Sequence, residues 1–184
     1  MRLAVFLLAL LTSFQAAPRD LPEIRAEGVL RHLGVPYANF ITGGGAGLDL
    51  ELMSGFARWL GLDYVHVSST WKSVFGDLTG RNAARAGDGV AWLESTPIRG
   101  DVIANGMTIL EWRRQVVDFG APTFPTGVWL VARADSSLAP IQPSGQLQRD
   151  IQQVRDLLPG RTLLALPNTC LDPDLYRMSE TRAE

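Results

Sequence analysis

The stretch from Asp101 to Phe119 constrains this chain more than any other part of it. It reads Asp-Val-Ile-Ala-Asn-Gly-Met-Thr-Ile-Leu-Glu-Trp-Arg-Arg-Gln-Val-Val-Asp-Phe. Val102 to Ala104 is a continuous apolar run, as expected of a strand covered on both faces. Asn105 and Gly106 permit a sharp turn, and Thr108 stands where the N-cap of a following helix is expected. That helix carries Arg113 and Arg114. A strand end, free N–H groups at a helix start and a guanidinium together make a place for a carboxylate. The stretch therefore points to a small anionic or zwitterionic ligand.

With 184 residues, 46% of them hydrophobic and 20% charged, the chain has material for a packed core rather than for disorder. A net charge of −2, with the basic residues scattered and almost all arginine, makes no electrostatic case for nucleic acid. Nucleophile and metal chemistry find equally little support. Cys170 is the single cysteine, so no internal disulfide can form, and the two histidines, His32 and His66, fall in strand-like segments without a carboxylate or cysteine cluster. No cofactor and no metal are expected.

Met1 to Ala17 reads as an export signal: Arg2 is the positive start, Leu3 to Leu11 the apolar core, and Thr12 to Ala17 a more polar end with small residues. The apolar run is too short to span a bilayer stably. An uncleaved N-terminal anchor is the other reading of this segment.

Beyond it, Leu21 to Glu27 is expected as a helix handing over at Gly28, and Val29 to Val35 as a first strand. Thr42 to Gly47 is a flexible turn; a phosphate cradle would need a Lys-Ser/Thr pair after its glycines, which is absent. Asp49 to Leu60 predicts a helix ended by Gly61, with Leu52, Met53, Phe56, Trp59 and Leu60 on its core face. Leu62 to Ser68 is a second strand, and Trp71 to Leu78 a helix or turn. Thr79 to Gly100 is polar and glycine-rich and reads as an exposed insertion. Thr123 to Ala132 is a long extended segment, Asp135 to Gly145 a loop, Gln148 to Leu158 a helix and Thr162 to Leu166 a further strand. Alternating strands and helices indicate an α/β sheet, whose ligands sit beyond the carboxyl ends of its strands. The turns at Asn105–Thr108 and Pro167–Thr169 are expected there.

In these segments the chain resembles the family 3 extracellular solute-binding proteins, the amino-acid-type periplasmic receptors of ABC importers. Gly47-Leu48-Asp49-Leu50-Glu51-Leu52 resembles the family's Gly-Phe-Asp-x-Asp-Leu segment. Asp101 to Phe119 resembles its Asp-x-Ile-x-x-Gly-Met-Thr-x-x-x-x-Arg-x-x-x-x-x-Phe signature, and Arg161 to Thr169 resembles the strand and turn opening its second lobe. The resemblance implies a periplasmic-binding-protein-like (type II) α/β fold: two α/β lobes, with helices on both faces of a mixed sheet. Residues 18–127 would form the first lobe, with 79–100 as an insertion, and residues 128–184 the hinge crossing and the beginning of an incomplete second lobe. By the same resemblance the chain ends within that second lobe, before the acidic residue that usually holds a ligand ammonium.

Carried over residue by residue, Arg113 would pair with a ligand α-carboxylate, and Gly106 and Thr108 would offer N–H and hydroxyl contacts. Tyr37 or Phe40, together with Trp71, would line the side-chain pocket, and Thr169 would reach in from the second lobe. Asp49 and Asp118 are expected as caps or fold-stabilising groups, and Leu110 stands where a second Thr or Ser is common. The implied function is binding of an amino acid in the periplasm and its delivery to an inner-membrane ABC permease, without catalysis. An enzyme on the same fold, of dehydratase or cell-wall lyase type, is one alternative; a sensory domain is the other. An enzyme would need a carboxylate or histidine of shifted pKa in its site.

Overall fold

The computed structural model describes residues 18–165, 169–176 and 178. The expected export segment, Met1 to Ala17, lies outside them. Two compact units divide the chain, one comprising residues up to Met107 with Trp112–Asp118, the other Thr108–Glu111 with Phe119 onward.

The first unit is α/β. Helix α1 (Leu21–Glu27) starts with a proline in its first turn and ends at Gly28, whose φ of 75° closes it in the left-handed conformation. Strand β1 (Val29–Gly34) follows at once. Helix α2 (Leu48–Leu60) leads to β2 (Asp63–Ser68), and the two-residue β5 (Val102–Ile103) completes a sheet of order β2-β1-β5. Both pairings are parallel, with Leu30 opposite Tyr64, His32 opposite both His66 and Val102, and Leu33 opposite Ile103. Strand β1 is thus the central strand, and Leu33 is 0% exposed.

Alternation along the pleat sends Leu30, Tyr64, Val102 and Ala104 to one face, where they pack with Ile24 of α1 and Met53 and Ala57 of α2. This corrects the expected face of α2. Leu50, Met53 and Ala57 are buried, whereas Leu52, Phe56 and Trp59 point outward. Apolar residues occupy more than half of this helix's circumference, so periodicity locates the helix without selecting its inner side.

Helix α3 (Val74–Thr79) buries Val74 and Phe75 and packs on β1 and β5. Thr79 to Gly100, expected as an exposed insertion, contains an antiparallel hairpin of β3 (Arg81–Ala86) and β4 (Gly89–Ser95). Its two-residue loop, Gly87-Asp88, has φ 60° at the glycine, which suits a tight hairpin connection. Asn82 and Ala83 are buried, and a side chain at Gly76 of α3 would collide with Asn82 and Thr96, so glycine there lets the hairpin approach the helix. Among the described residues, this unit thus has a parallel sheet and a separate antiparallel pair.

The Asp77 carboxylate, buried in α3, accepts hydrogen bonds from Ser69 Oγ (2.6 Å) and from Arg99 (3.1 Å), and its carbonyl accepts the Arg99 N–H (2.7 Å). These bonds fix the return from the hairpin into β5. Helix α4 (Glu111–Arg114) begins three residues beyond Thr108, so Thr108 is not its N-cap; Leu110, which has no side-chain acceptor, stands immediately before it.

In the second unit, α5 (Leu147–Asp156) forms close to its expected span, and a 3-10 turn covers Pro173–Tyr176. Residues 162–165 of the expected strand Thr162–Leu166 are not in a strand, and Leu166 lies outside the described residues. Thr123 to Ala132 joins no ladder. Among its described residues this unit has no sheet.

His32 is fully buried on β1. Its Nε2 lies 2.6 Å from the Ala104 carbonyl, which can only accept, so Nε2 carries the proton and Nδ1 accepts from the Tyr64 hydroxyl at 2.8 Å. Burial, opposed by the Ala104 contact, holds the His32 pKa below its ordinary value, and burial does the same for His66. The unfolded chain therefore takes up protons at a higher pH than the folded one, so this contribution to stability is complete above the unfolded value of about 6.5 and declines as pH falls below it. Urea unfolding at pH 7, 6 and 5 is expected to show falling stability, with a shallower slope in His32→Gln. An unchanged slope in that variant would remove His32 from the account.

Candidate functional site at the strand ends

The chain leaves β1 through α2 toward β2, but the next strand of this sheet, β5, lies on the other side of β1. Strand order therefore reverses at β1, and the crevice beyond its carboxyl end is where open α/β sheets take ligands. Three segments emerge at that edge: Val35 to Gly47 after β1, Ser69 to Ser73 after β2, and Ala104 to Met107 after β5.

The first segment folds back on itself through a bridge between Tyr37 and Ile41. Ala38, at its tip, has φ 46°, a left-handed conformation that costs an alanine about 1 kcal/mol. This turn stacks Tyr37 on Phe40, with ring centroids 6.0 Å apart and planes 7° apart. Trp71, from the second segment, meets Tyr37 edge-on at 5.6 Å. Tyr37 and Trp71 are each partly exposed, so these rings form a surface that is apolar and accessible.

Gly106 joins the same group. Its φ is 65°, and a side chain there would run into the ring of Phe40. Its N–H donates to Asp49 Oδ2 at 2.5 Å. Asp49 is buried in the first turn of α2, where a negative charge suits the helix dipole, and its own N–H donates to the Phe40 carbonyl at 3.1 Å. One carboxylate thus ties the helix start, the aromatic turn and the β5 end together. In consequence the Gly106 N–H, expected as a ligand donor, is already committed to Asp49.

Asn105 is the residue whose importance sequence reasoning missed. It is 0% exposed, and neither polar atom of its carboxamide has a hydrogen-bond partner among the described residues. Such a group costs about 1–3 kcal/mol and calls for a partner. Its sequence signal is slight, since an Asn before a Gly reads first as a turn former.

Of the other residues singled out from the sequence, Arg113 is only 4% exposed, and its guanidinium lies over the Trp112 ring at 5.4 Å. Trp112 in turn meets Phe75 of α3 edge-on at 5.5 Å. Arg113 is therefore a buried arginine, while Arg114 is exposed. Thr108 and Thr169 belong to the second unit. Thr169 does not follow a described strand; its hydroxyl accepts the Leu171 N–H at 3.0 Å in a local turn, and Pro167 and Asn168 lie outside the described residues. Among the described residues, no cluster of three or more His, Cys, Asp or Glu is placed to hold a metal ion.

No protein-family model matches the chain, and no curated protein is significantly similar to it. Among solved structures, the chain is similar to the crystal structure of an ancestral cyclohexadienyl dehydratase, with 24% sequence identity and a TM-score of 0.42. The match covers 59% of this chain and 40% of that one, so the chain spans about two fifths of the length of that protein.

The Asp49 contact has a measurable weight. Asp49→Ala leaves the Gly106 N–H without its charged acceptor and is expected to cost about 1.5–3 kcal/mol in chemical denaturation. Asp49→Asn, which keeps an acceptor oxygen, should cost clearly less. Equal losses in the two variants would show that the hydrogen bond is not what Asp49 contributes.

Proposed function

We propose that this chain binds a small carboxylate of amino-acid type, as the substrate-binding component of an ABC importer acting in the periplasm and delivering its ligand to an inner-membrane permease. The observation that carries this reading is the convergence at the β1 switch point. The Tyr37–Phe40–Trp71 rings and the buried carboxamide of Asn105, unpartnered among the described residues, all lie on segments that leave the carboxyl ends of the strands, where α/β sheets receive ligands. In this reading the rings take the apolar part of the ligand, Asn105 supplies one donor and one acceptor, and Arg113 pairs with the carboxylate.

Binding without chemistry fits the same residues. Asp49 and His32, which contact the chain at and beyond the end of β5, are both spent on the backbone: Asp49 accepts from Gly106, and His32 donates to Ala104. A general acid or base would need a side chain aimed at the ligand instead.

Calorimetry and thermal unfolding with each of the twenty L-amino acids test the proposal. One amino acid, or a group alike in side chain, is expected to bind and to raise the unfolding temperature. Trp71→Ala and Arg113→Lys should each weaken that binding by about tenfold or more, roughly 1.4 kcal/mol, with circular dichroism confirming that the variants fold. The ligand should be recovered chemically unchanged. Binding by none of the panel would sink the reading, and recovery of a product would replace it with the enzymatic one.

A further inference from the structure

We propose that the outer face of α2 is a self-association surface, on which a second copy of this chain packs with its own α2 antiparallel, forming a two-fold dimer. Leu48, Leu52, Phe56 and Trp59 follow one another at helical spacings of three and four residues, and all face away from the core. Leu52 and Phe56 are each 42% exposed and Trp59 is 79% exposed. Phe56 and Trp59 stack on each other, 5.9 Å between centroids and 20° between planes, so the aromatic end of the stripe is already arranged as a slab. A run of large apolar side chains over three turns of a surface helix marks an interaction site rather than the scattered exposure normal on a monomer.

The pattern of charge and size selects a second copy as the occupant. Glu51 and Arg58 border the same edge of the stripe, one near each end of the helix, and neither has an ion pair or side-chain hydrogen bond among the described residues. They lie symmetrically about Ser54 and Gly55. Antiparallel pairing of two such helices about a two-fold axis keeps that edge on the same side of both copies. Glu51 of each copy then faces Arg58 of the other, giving two reciprocal ion pairs. Gly55 falls near the axis, and a side chain there would meet nothing within 4 Å, so the helix backbones can approach closely. In the same register the Phe56–Trp59 slab of one copy lies against the Leu48 and Leu52 end of the other. Each half supplies what the opposite half lacks. Parallel pairing about a two-fold axis along the helices would put the Glu51 and Arg58 edges of the two copies on opposite sides, without reciprocal ion pairs, and would stack the aromatic ends on each other. The placement of Glu51 and Arg58 also suits the dipole of an isolated helix, but that leaves the four exposed apolar residues between and beside them unexplained.

Sedimentation and light scattering of the full chain across a range of concentrations test the proposal, with charge exchange as the decisive arm. The expected result is a concentration-dependent dimer. Glu51→Arg and Arg58→Glu should each weaken it by about tenfold, while the double exchange restores it. Trp59→Glu should give a monomer with an unchanged circular dichroism spectrum. A chain that is monomeric up to its solubility limit overturns the proposal. So does an oligomer indifferent to the charge exchanges, and so does a monomer that uses Trp59 to bind lipid vesicles or a different protein.

Discussion

The arrangement depends on how a very short strand is held in place. Strand β5 shares only two residues with β1, too few for ladder hydrogen bonds to fix it firmly. Backbone bonds from the Asp101 N–H to the Arg31 carbonyl (2.9 Å) and from the Ala104 N–H to the Leu33 carbonyl (3.3 Å) flank it, and three buried side chains add to them. At its start, the Asp101 carboxylate accepts the Arg31 N–H at 2.7 Å and pairs with Arg19. Beyond its end, His32 donates to the Ala104 carbonyl, and Asp49 accepts the Gly106 N–H. A buried carboxylate is tolerable only when its charge is met by such donors, so each anchor is fixed by its own desolvation cost as much as by the bond it makes.

Everything at the carboxyl edge inherits its position from these anchors. Because Asp49 belongs to α2 and also receives Gly106, the helix start and the strand end move as one piece. Because Phe40 fills the space a side chain at Gly106 would need, the aromatic turn is registered against that piece. Asn105, between Ala104 and Gly106, is held from both sides and carries its carboxamide into a buried setting without a partner among the described residues. A side chain so constrained loses little further freedom on meeting a ligand, and this is the physical content of preorganisation. The same helix that faces the core through Met53 and Ala57 presents Trp59 outward, so one element serves two surfaces.

Much of the first unit was legible because its signals are local. Gly28 and Gly61 end their helices in the left-handed conformation that glycine tolerates, and the apolar runs at Val29 and Leu62 become strands. The hairpin escaped notice because Arg81–Ala86 is made of arginine, asparagine and alanine, a weak strand composition whose best clue is the Gly87-Asp88 turn. The inner face of α2 could not be chosen from a helix apolar on most sides. Thr162 to Ala165 has the composition of a strand but joins no ladder here, which composition alone does not guarantee. At the site, Tyr37, Phe40, Trp71 and Gly106 were singled out from motifs and are brought together by the strand ends. Asp49 was expected as a cap or fold-stabilising group, but its partner Gly106 was not legible, nor were the roles of His32 and Asn105: each depends on positions distant in sequence, Ala104 for His32 and the lack of any described partner for Asn105.

The central claim is that the Asp49 side chain, rather than the ladder, holds the chain just beyond β5. Amide hydrogen exchange at Gly106, read by nuclear magnetic resonance, tests it most directly. Gly106 lies beyond the last ladder pair, so its N–H should exchange quickly unless Asp49 holds it. The expected result is slow exchange in the wild type, comparable to the amides of β1, and fast exchange in Asp49→Ala while β1 stays protected. Fast exchange at Gly106 in the wild type would contradict the account.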